Sequence, residues 1–185
     1  MTDTQWPRYE VFEQVSEDQP HQNTNSIHAP DGEMALMNAR DVFVRRPYCV
    51  SMWVVPADKI FSKTAQELAD PDWATNSEIE SVSTSTEPYY VFQKLKHRGS
   101  QTYIGIVEAQ SPIEALQHAL AVYSEGNPLA WWVFPARFVT KSEPDDIESM
   151  FDPSLDKTFR DQSEYHTIAM MYEIKKRARQ AEDSE

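Results

Sequence analysis

Five histidines, a lone cysteine and a short group of arginines are the residues of this chain whose types could do chemistry. The histidines stand at 21, 28, 97, 118 and 166. A carboxylate-bridged di-iron bundle draws Glu-x-x-His elements from two of its helices, and that spacing occurs nowhere in this sequence. Glu114 and His118 are four apart, which pairs them on a helix surface without supplying such a motif. His21 and His28 flank a hairpin strand at a spacing that does not build a metal site, so surface or structurally bonded histidines are expected. Cys49 as a nucleophile would need an oriented base, and nothing in the sequence places one. Its expected role is that of a small buried hydrophobe. The four glycines, at 32, 99, 105 and 126, form neither a phosphate-cradling loop nor a dinucleotide fingerprint. No cofactor is expected on this chain.

The elements that must position these residues are written twice. Tyr9, Val11 and Phe12 return as Tyr89, Val91 and Phe92. Ala29, Ala35, Leu36, Ala39 and Val42 return eighty positions later as Ala109, Ala115, Leu116, Ala119 and Val122. After a one-residue deletion, Trp53, Val54, Pro56 and Ala57 return as Trp132, Val133, Pro135 and Ala136. An internal duplication decides the architecture before any local pattern does.

Each copy reads as strand, strand, helix, strand. In the first, Tyr9 to Gln14 and Thr24 to Ala29 carry strand signals around a polar loop from Ser16 to Asn23 with Pro20. Asp31 is the expected helix cap, and Ala35, Leu36, Ala39, Val42 and Phe43 fall on one helical face. Pro47 ends the helix, and Arg45 and Arg46 complement its C-terminal dipole. In the second copy Ser111, Pro112 and Glu114 form a capping box with proline at the first helical position. Gly126, Asn127 and Pro128 stop that helix. Met52 to Val55 and Trp131 to Phe134 are the closing strands. Trp131 and Trp132 alternate across theirs, so one faces the core and the other an edge or partner.

The fold class expected is α+β: two tandem ββαβ repeats in a pseudo-symmetric pair with antiparallel-rich sheets, plus an extended and helical C-terminal tail. A hairpin followed by a right-handed crossover puts the first strand of each unit in the middle. One such unit leaves sheet edges and apolar surface open, so the two should join through their sheets or helix faces. The expected division is 1–61 for the first repeat, 62–88 for an acidic Ser/Thr-rich linker, 89–140 for the second repeat and 141–185 for the tail. Within the linker, Lys63 to Ala69 has the makings of a helical turn and Trp73 of an anchor. Glu143 to Met150 is expected as a short helix, Phe151 to Arg160 as an extended segment, and Glu164 onward as a helix fraying from Lys175.

Composition narrows the function classes. Of 185 residues, 40% are hydrophobic and 21 are aromatic, enough for a real core. Net charge is −13, divided as −4 over 1–61, −5 over 62–88, +1 over 89–140 and −5 over 141–185. Phosphate backbones reward clustered Lys and Arg, so no nucleic-acid partner is expected. One cysteine permits no internal disulfide. No apolar run reaches the length of a membrane span, and Met1 to Gln14 lacks a signal-peptide pattern. A cytoplasmic protein without a membrane partner is expected.

Arg40, Arg45 and Arg46 are the concentrated positive feature of the acidic first copy. They serve either as dipole compensation and surface solvation or as an ion-pairing face for an acidic partner subunit. Their counterparts in the second copy are Leu120, Glu125 and Gly126. The two copies have diverged on this surface while sharing their core positions.

The first copy resembles the B-subunit family of phenylacetyl-CoA epoxidases. The matching residues are Trp6-Pro7-Arg8-Tyr9-Glu10-Val11-Phe12, Ser26-Ile27-His28-Ala29 and Ala35-Leu36-Met37-Asn38-Ala39-Arg40-Asp41. Arg45-Arg46 and Ser51-Met52-Trp53-Val54-Val55 continue the match. Phe151-Asp152-Pro153, Lys157, Phe159-Arg160 and Tyr165 resemble the family's tail, which makes the second copy a diverged version inserted between. Asn23, Asn25 and Asp161 depart from the family's usual His, Gly and His.

The resemblance implies a non-catalytic structural or bridging subunit of a multicomponent di-iron oxygenase that degrades phenylacetate aerobically. Its implied partners are the di-iron catalytic subunit and that subunit's structural homologue, with the reductase subunit as a further candidate. Di-iron, O₂ and NADPH would be handled by those partners. The implied interface residues are Arg40, Arg45, Arg46, Trp53, Phe151, Asp152, Pro153 and Arg160. At about twice the family's usual length, one chain would replace a homodimer of single-repeat subunits. The alternative is a stand-alone acyl-CoA or small-molecule binding module, motivated by the aromatic strands and the arginine group.

Overall fold

The computed structural model describes residues 5–44, 49–75, 85–123, 125–154 and 167–182. The first copy comprises β1 (Arg8–Gln14), β2 (Gln22–His28), α1 (Gly32–Phe43) and β3 (Ser51–Pro56). After a 3-10 turn, β4 (Phe61–Thr64) and the short α2 (Ala65–Leu68) follow. The second copy comprises β5 (Glu87–Lys94), β6 (Thr102–Ala109), α3 (Pro112–Val122) and β7 (Ala130–Pro135). It too continues through a 3-10 turn into β8 (Thr140–Lys141) and α4 (Ile147–Met150). The chain closes with α5 (Thr167–Glu182), which runs on past Lys175, the expected start of fraying.

Local chemistry sets both long helices. Asp31 accepts a hydrogen bond from the Met34 amide at 2.8 Å and caps α1. Ser111 accepts from the Glu114 amide at 3.2 Å, while Glu114 reaches back to the Gln110 amide at 2.7 Å. Ala35, Leu36 and Ala39, and their counterparts Ala115, Leu116 and Ala119, are buried. Val42 and Val122, expected on the same faces, are exposed in both copies.

All the strands form a single antiparallel sheet in the order β4-β7-β5-β6-β2-β1-β3-β8. The first strand of each copy lies in the middle of its unit. The copies meet where Gln22 faces Thr102. The Asn23 amide donates to the Gln101 carbonyl at 2.8 Å, and the Tyr103 amide donates to the His21 carbonyl at 2.9 Å. These two bonds interchange under an eighty-residue shift, so a pseudo-twofold axis passes between them.

This junction is a fold line. In a flat sheet β1 and β5 would lie about 14 Å apart, three strand spacings. Yet the rings of Phe12 and Phe92 are 4.4 Å apart. The two halves therefore close on each other across the faces that the helices leave bare. Phe12, Val55, Tyr90, Phe92 and Phe134 are buried in this seam, with Trp53, Tyr103 and Trp132 partly buried around them. Trp131 lies instead under α3. Trp132, the one of the pair that turns away from the helix-covered core, is covered by the other copy of its own chain.

The segment expected as a linker departs most from its sequence reading. β4 leaves the first copy and pairs with β7 of the second, from Phe61 opposite Val133 to Thr64 opposite Ala130. α2 follows with a full capping box between Thr64 and Glu67, and Leu68 and Trp73 pack on the second copy's core. The second copy returns the exchange. β8 pairs with β3, with Trp53 opposite Lys141 and Val54 opposite Thr140. Ile147, Met150 and Phe151 then pack on the first copy's core. Residues 61–75 and 140–151 are thus equivalent arms traded between the copies. The first is part of a repeat rather than a spacer, because its apolar side chains are spent on the other copy.

At one end of the seam His21 stacks on Trp53 at 3.7 Å, with its Nε2 3.0 Å from Ser51 Oγ. Lys141 lies over the Trp53 and Tyr90 rings at 4.6 and 4.7 Å and donates to the Tyr90 hydroxyl, joining both copies. Burial, with the Lys141 charge adding to it, lowers the His21 pKa to about 4.

Two outcomes follow. Phe151→Ala should cost about 3–5 kcal/mol by urea unfolding, because Phe151 is buried against a copy distant in sequence. A loss below about 1 kcal/mol would mean that the arm does not hold. His21 is neutral when folded, so the unfolded chain takes up the proton first as pH falls. Stability should then be full above about pH 6.5 and decline by roughly 1–3 kcal/mol towards pH 4. His21→Gln should flatten that part of the profile, and an unchanged slope would remove His21 as its cause.

Candidate functional site

The groups that could do chemistry are held as structural parts. Cys49 is buried, its thiol 3.4 Å from the Ser51 carbonyl, and burial first, with the Glu13 charge second, pushes its pKa up to about 12. At neutral pH it is a thiol, not a thiolate nucleophile. His28 places Nδ1 2.7 Å from the Trp6 carbonyl, and His118 places Nδ1 2.9 Å from the Glu108 carbonyl. These contacts tie chain segments together. His21 serves the seam. Among the described residues no group of His, Cys, Asp and Glu side chains is placed to hold a metal ion. The aromatic strands, which suggest a small-molecule platform in the sequence, stack on one another, with Phe92 and Phe134 rings 5.4 Å apart and Trp53 and Tyr90 rings 4.9 Å apart.

The residues expected at a partner interface divide between two faces of the sheet. Trp53 is in the seam, pointing away from α1, and its neighbours Met52 and Val54 point towards α1. Phe151 is buried in the first copy's core. Both serve contacts between the two copies of this chain instead of lying open to a partner, because the exchanged arm and the folded sheet cover them. Asp152 and Pro153 follow Phe151 and are exposed. Arg40 lies on α1, which Phe151 packs beneath, and donates to Asp41 Oδ1 through Nε at 3.0 Å and Nη2 at 2.7 Å. Arg45, Arg46 and Arg160 fall outside the described residues.

Arg40 also lines a groove of about 730 Å³ between α1 and the arm of the second copy. Leu36, Met37 and Arg40 form one wall, and Thr140, Glu143 and Met150 belong to the other. Gly32 sits so close to Thr140 that an added Cβ would overlap its hydroxyl oxygen, which fixes the first turn of α1 against β8. No motif in the sequence announces this groove, since its walls are about a hundred residues apart. The available signal was apolar residues on both faces of β3 and β7, which marks strands covered on each side. Among the described residues no helix is long and apolar enough to cross a membrane.

Comparison with known proteins agrees with this architecture. The chain is 42% identical over 67 residues to the B-subunit of the 1,2-phenylacetyl-CoA epoxidase of Escherichia coli strain K12, covering 36% of this chain and 70% of that protein. No solved structure gives a significant match. The sequence profile of the family Phenylacetic acid degradation B (PaaB) matches twice, at residues 5–77 and 85–172. Each match spans one copy together with its arm. The second copy and the tail are therefore one family unit, not an insertion followed by the end of the first. By both matches, the chain belongs to the Phenylacetic acid degradation B family.

Proposed function

We propose that this chain is a non-catalytic structural subunit of a multicomponent di-iron phenylacetyl-CoA epoxidase, joining partner subunits through its outward faces. The observation that carries this reading is the family match of both copies over the whole arm-exchanging unit. Substrate oxidation, iron, O₂ and the electrons of NADPH belong in this reading to the partner subunits and their reductase. The chain's own contribution is shape: a rigid sheet with helices on its outer side. The buried protonated Cys49 and the bonded histidines support a role without chemistry of its own. Because the arms are traded within one chain, a single molecule stands where two single-repeat subunits would pair.

Reconstitution with and without this chain tests the proposal. The chain should co-purify with the di-iron catalytic subunit and its structural homologue, and its omission should lower phenylacetyl-CoA epoxidation at least about tenfold. Full turnover by the other subunits alone would refute the structural role. Light scattering should give a monomer for the isolated chain, and a stable homodimer would refute the replacement of a pair.

A further inference from the structure

We infer that the hairpin turn between β5 and β6 docks on an acidic surface of a partner protein, and that the turn between β1 and β2 does not. That this partner is a subunit of the oxygenase rests on the function proposed above. The difference between the turns rests on their own residues. Lys94, Lys96, His97 and Arg98 of the second copy stand where the first has Gln14, Ser16, Glu17 and Asp18. Across equivalent positions, the formal charge of 94–101 is +3 and that of 14–21 is −2. The backbone does not differ in this way. The Gln19 amide donates to the Ser16 carbonyl at 3.0 Å and the Gly99 amide to the Lys96 carbonyl at 2.9 Å, so one bond closes both turns.

The first turn spends its polar side chains on itself. Gln14 Nε2 donates to the Gln19 carbonyl at 2.9 Å, and Ser16 donates to Asp18 Oδ1 at 2.5 Å. In the second turn Lys96, His97 and Arg98 are exposed. Among the described residues no acidic side chain forms an ion pair with them or with Lys94. Leu95 stands 52% exposed among these cations. The base of the turn is fixed, because Gln93 donates to the Tyr123 carbonyl and the Leu129 amide to the Lys94 carbonyl, each at 2.7 Å. A fixed turn loses little freedom on binding. Its tip is convex, whereas small-molecule sites are concave. The chain as a whole carries −13, so an anion is attracted only close to the tip, within the roughly 8 Å over which charges act at physiological salt. Those conditions suit a protein surface that brings carboxylates to Lys96 and Arg98 and an apolar contact to Leu95.

The test measures association of the full-length chain with the di-iron catalytic subunit, its structural homologue and the reductase, each immobilised in turn, at low and physiological salt. At least one should be bound more slowly at the higher salt. Lys96→Glu with Arg98→Glu should slow association with that subunit at least about tenfold, and Lys96→Gln with Arg98→Gln at least about threefold. Glu17→Lys, on the equivalent turn, should change the rate less than about twofold. Each variant alters an exposed tip, so its urea midpoint should equal that of the native chain. A lowered midpoint in the Glu pair leaves the Gln pair as the test. Binding insensitive to salt, equal effects at the two turns, or native rates in both double variants would overturn the docking turn and leave the structural role standing. Phenylacetyl-CoA bound by the isolated chain and lost in the double variants would overturn it too, in favour of a phosphate site. Absence of binding to all three subunits would overturn both readings.

Discussion

The contact of Phe12 with Phe92, rings tilted 43° to each other, sits on the pseudo-twofold axis, and the rest of the molecule is arranged around it. Each three-stranded unit has one face covered by a helix and one face left apolar. Val54 and Val55, or Val133 and Phe134, turn apolar side chains to both sides of one strand. A unit of this kind cannot stand alone in water without exposing a patch of aromatic surface. Folding the sheet at the Gln22–Thr102 junction buries the two bare faces against each other. One buried aromatic such as Phe12 contributes several kcal/mol, against a net stability of about 5–15 kcal/mol for a typical domain. Neither half is therefore expected to be a separate folding unit.

The exchanged arms solve the remaining problem, which is the outer edge of each half. β3 and β7 would be open edges, and unpaired strand edges invite pairing with other chains. β8 and β4 cover them from the opposite copy. The arms also carry Phe151 and Trp73 beneath the helices of that copy. Seam and arms thus lock the same two bodies from opposite sides of the sheet. Lys141 joins the two systems, since it belongs to an arm strand and lies over seam rings from both copies.

The local structure was legible because each signal was local. The Asp31 and Ser111 caps, the spacing of Ala35, Leu36 and Ala39, and the central place of β1 follow from side-chain chemistry and chain handedness. In the arms the helical turn within Lys63 to Ala69, the Trp73 anchor and the short helix within Glu143 to Met150 were legible, but the strands were not. Phe61-Ser62-Lys63-Thr64 is short and half polar, and its identity as a strand depends on β7, some seventy residues away. Thr140–Lys141 is shorter still. Trp53 and Phe151 were readable as residues that contact something, but only the fold reveals that they contact this chain. Cys49 and the histidines were readable as structural because no partner group stood at the right spacing.

Fusion of the two copies removes a constraint that a symmetric pair must obey. In a homodimer every substitution appears twice, so a change that harms one face harms its symmetry mate as well. Within one chain, Met34 and Met37 can stay on one helix while Glu114 and Gln117 occupy the other. The seam cannot diverge so freely, because Phe12 must still pack on Phe92 and the junction must still exchange its two backbone bonds. Divergence is therefore expected on outward helix stripes and arm ends, and similarity in the seam and beneath the helices. Beneath the helices the sequence follows that division, since Ala35, Leu36 and Ala39 are repeated without change and Arg40 beside them is not. In the seam Phe12 and Trp53 return as Phe92 and Trp132, whereas Tyr90 and Phe134 stand where the first copy has Glu10 and Val55. Arm exchange then decides which surfaces vary together, for each face combines the helix of one copy with the arm of the other.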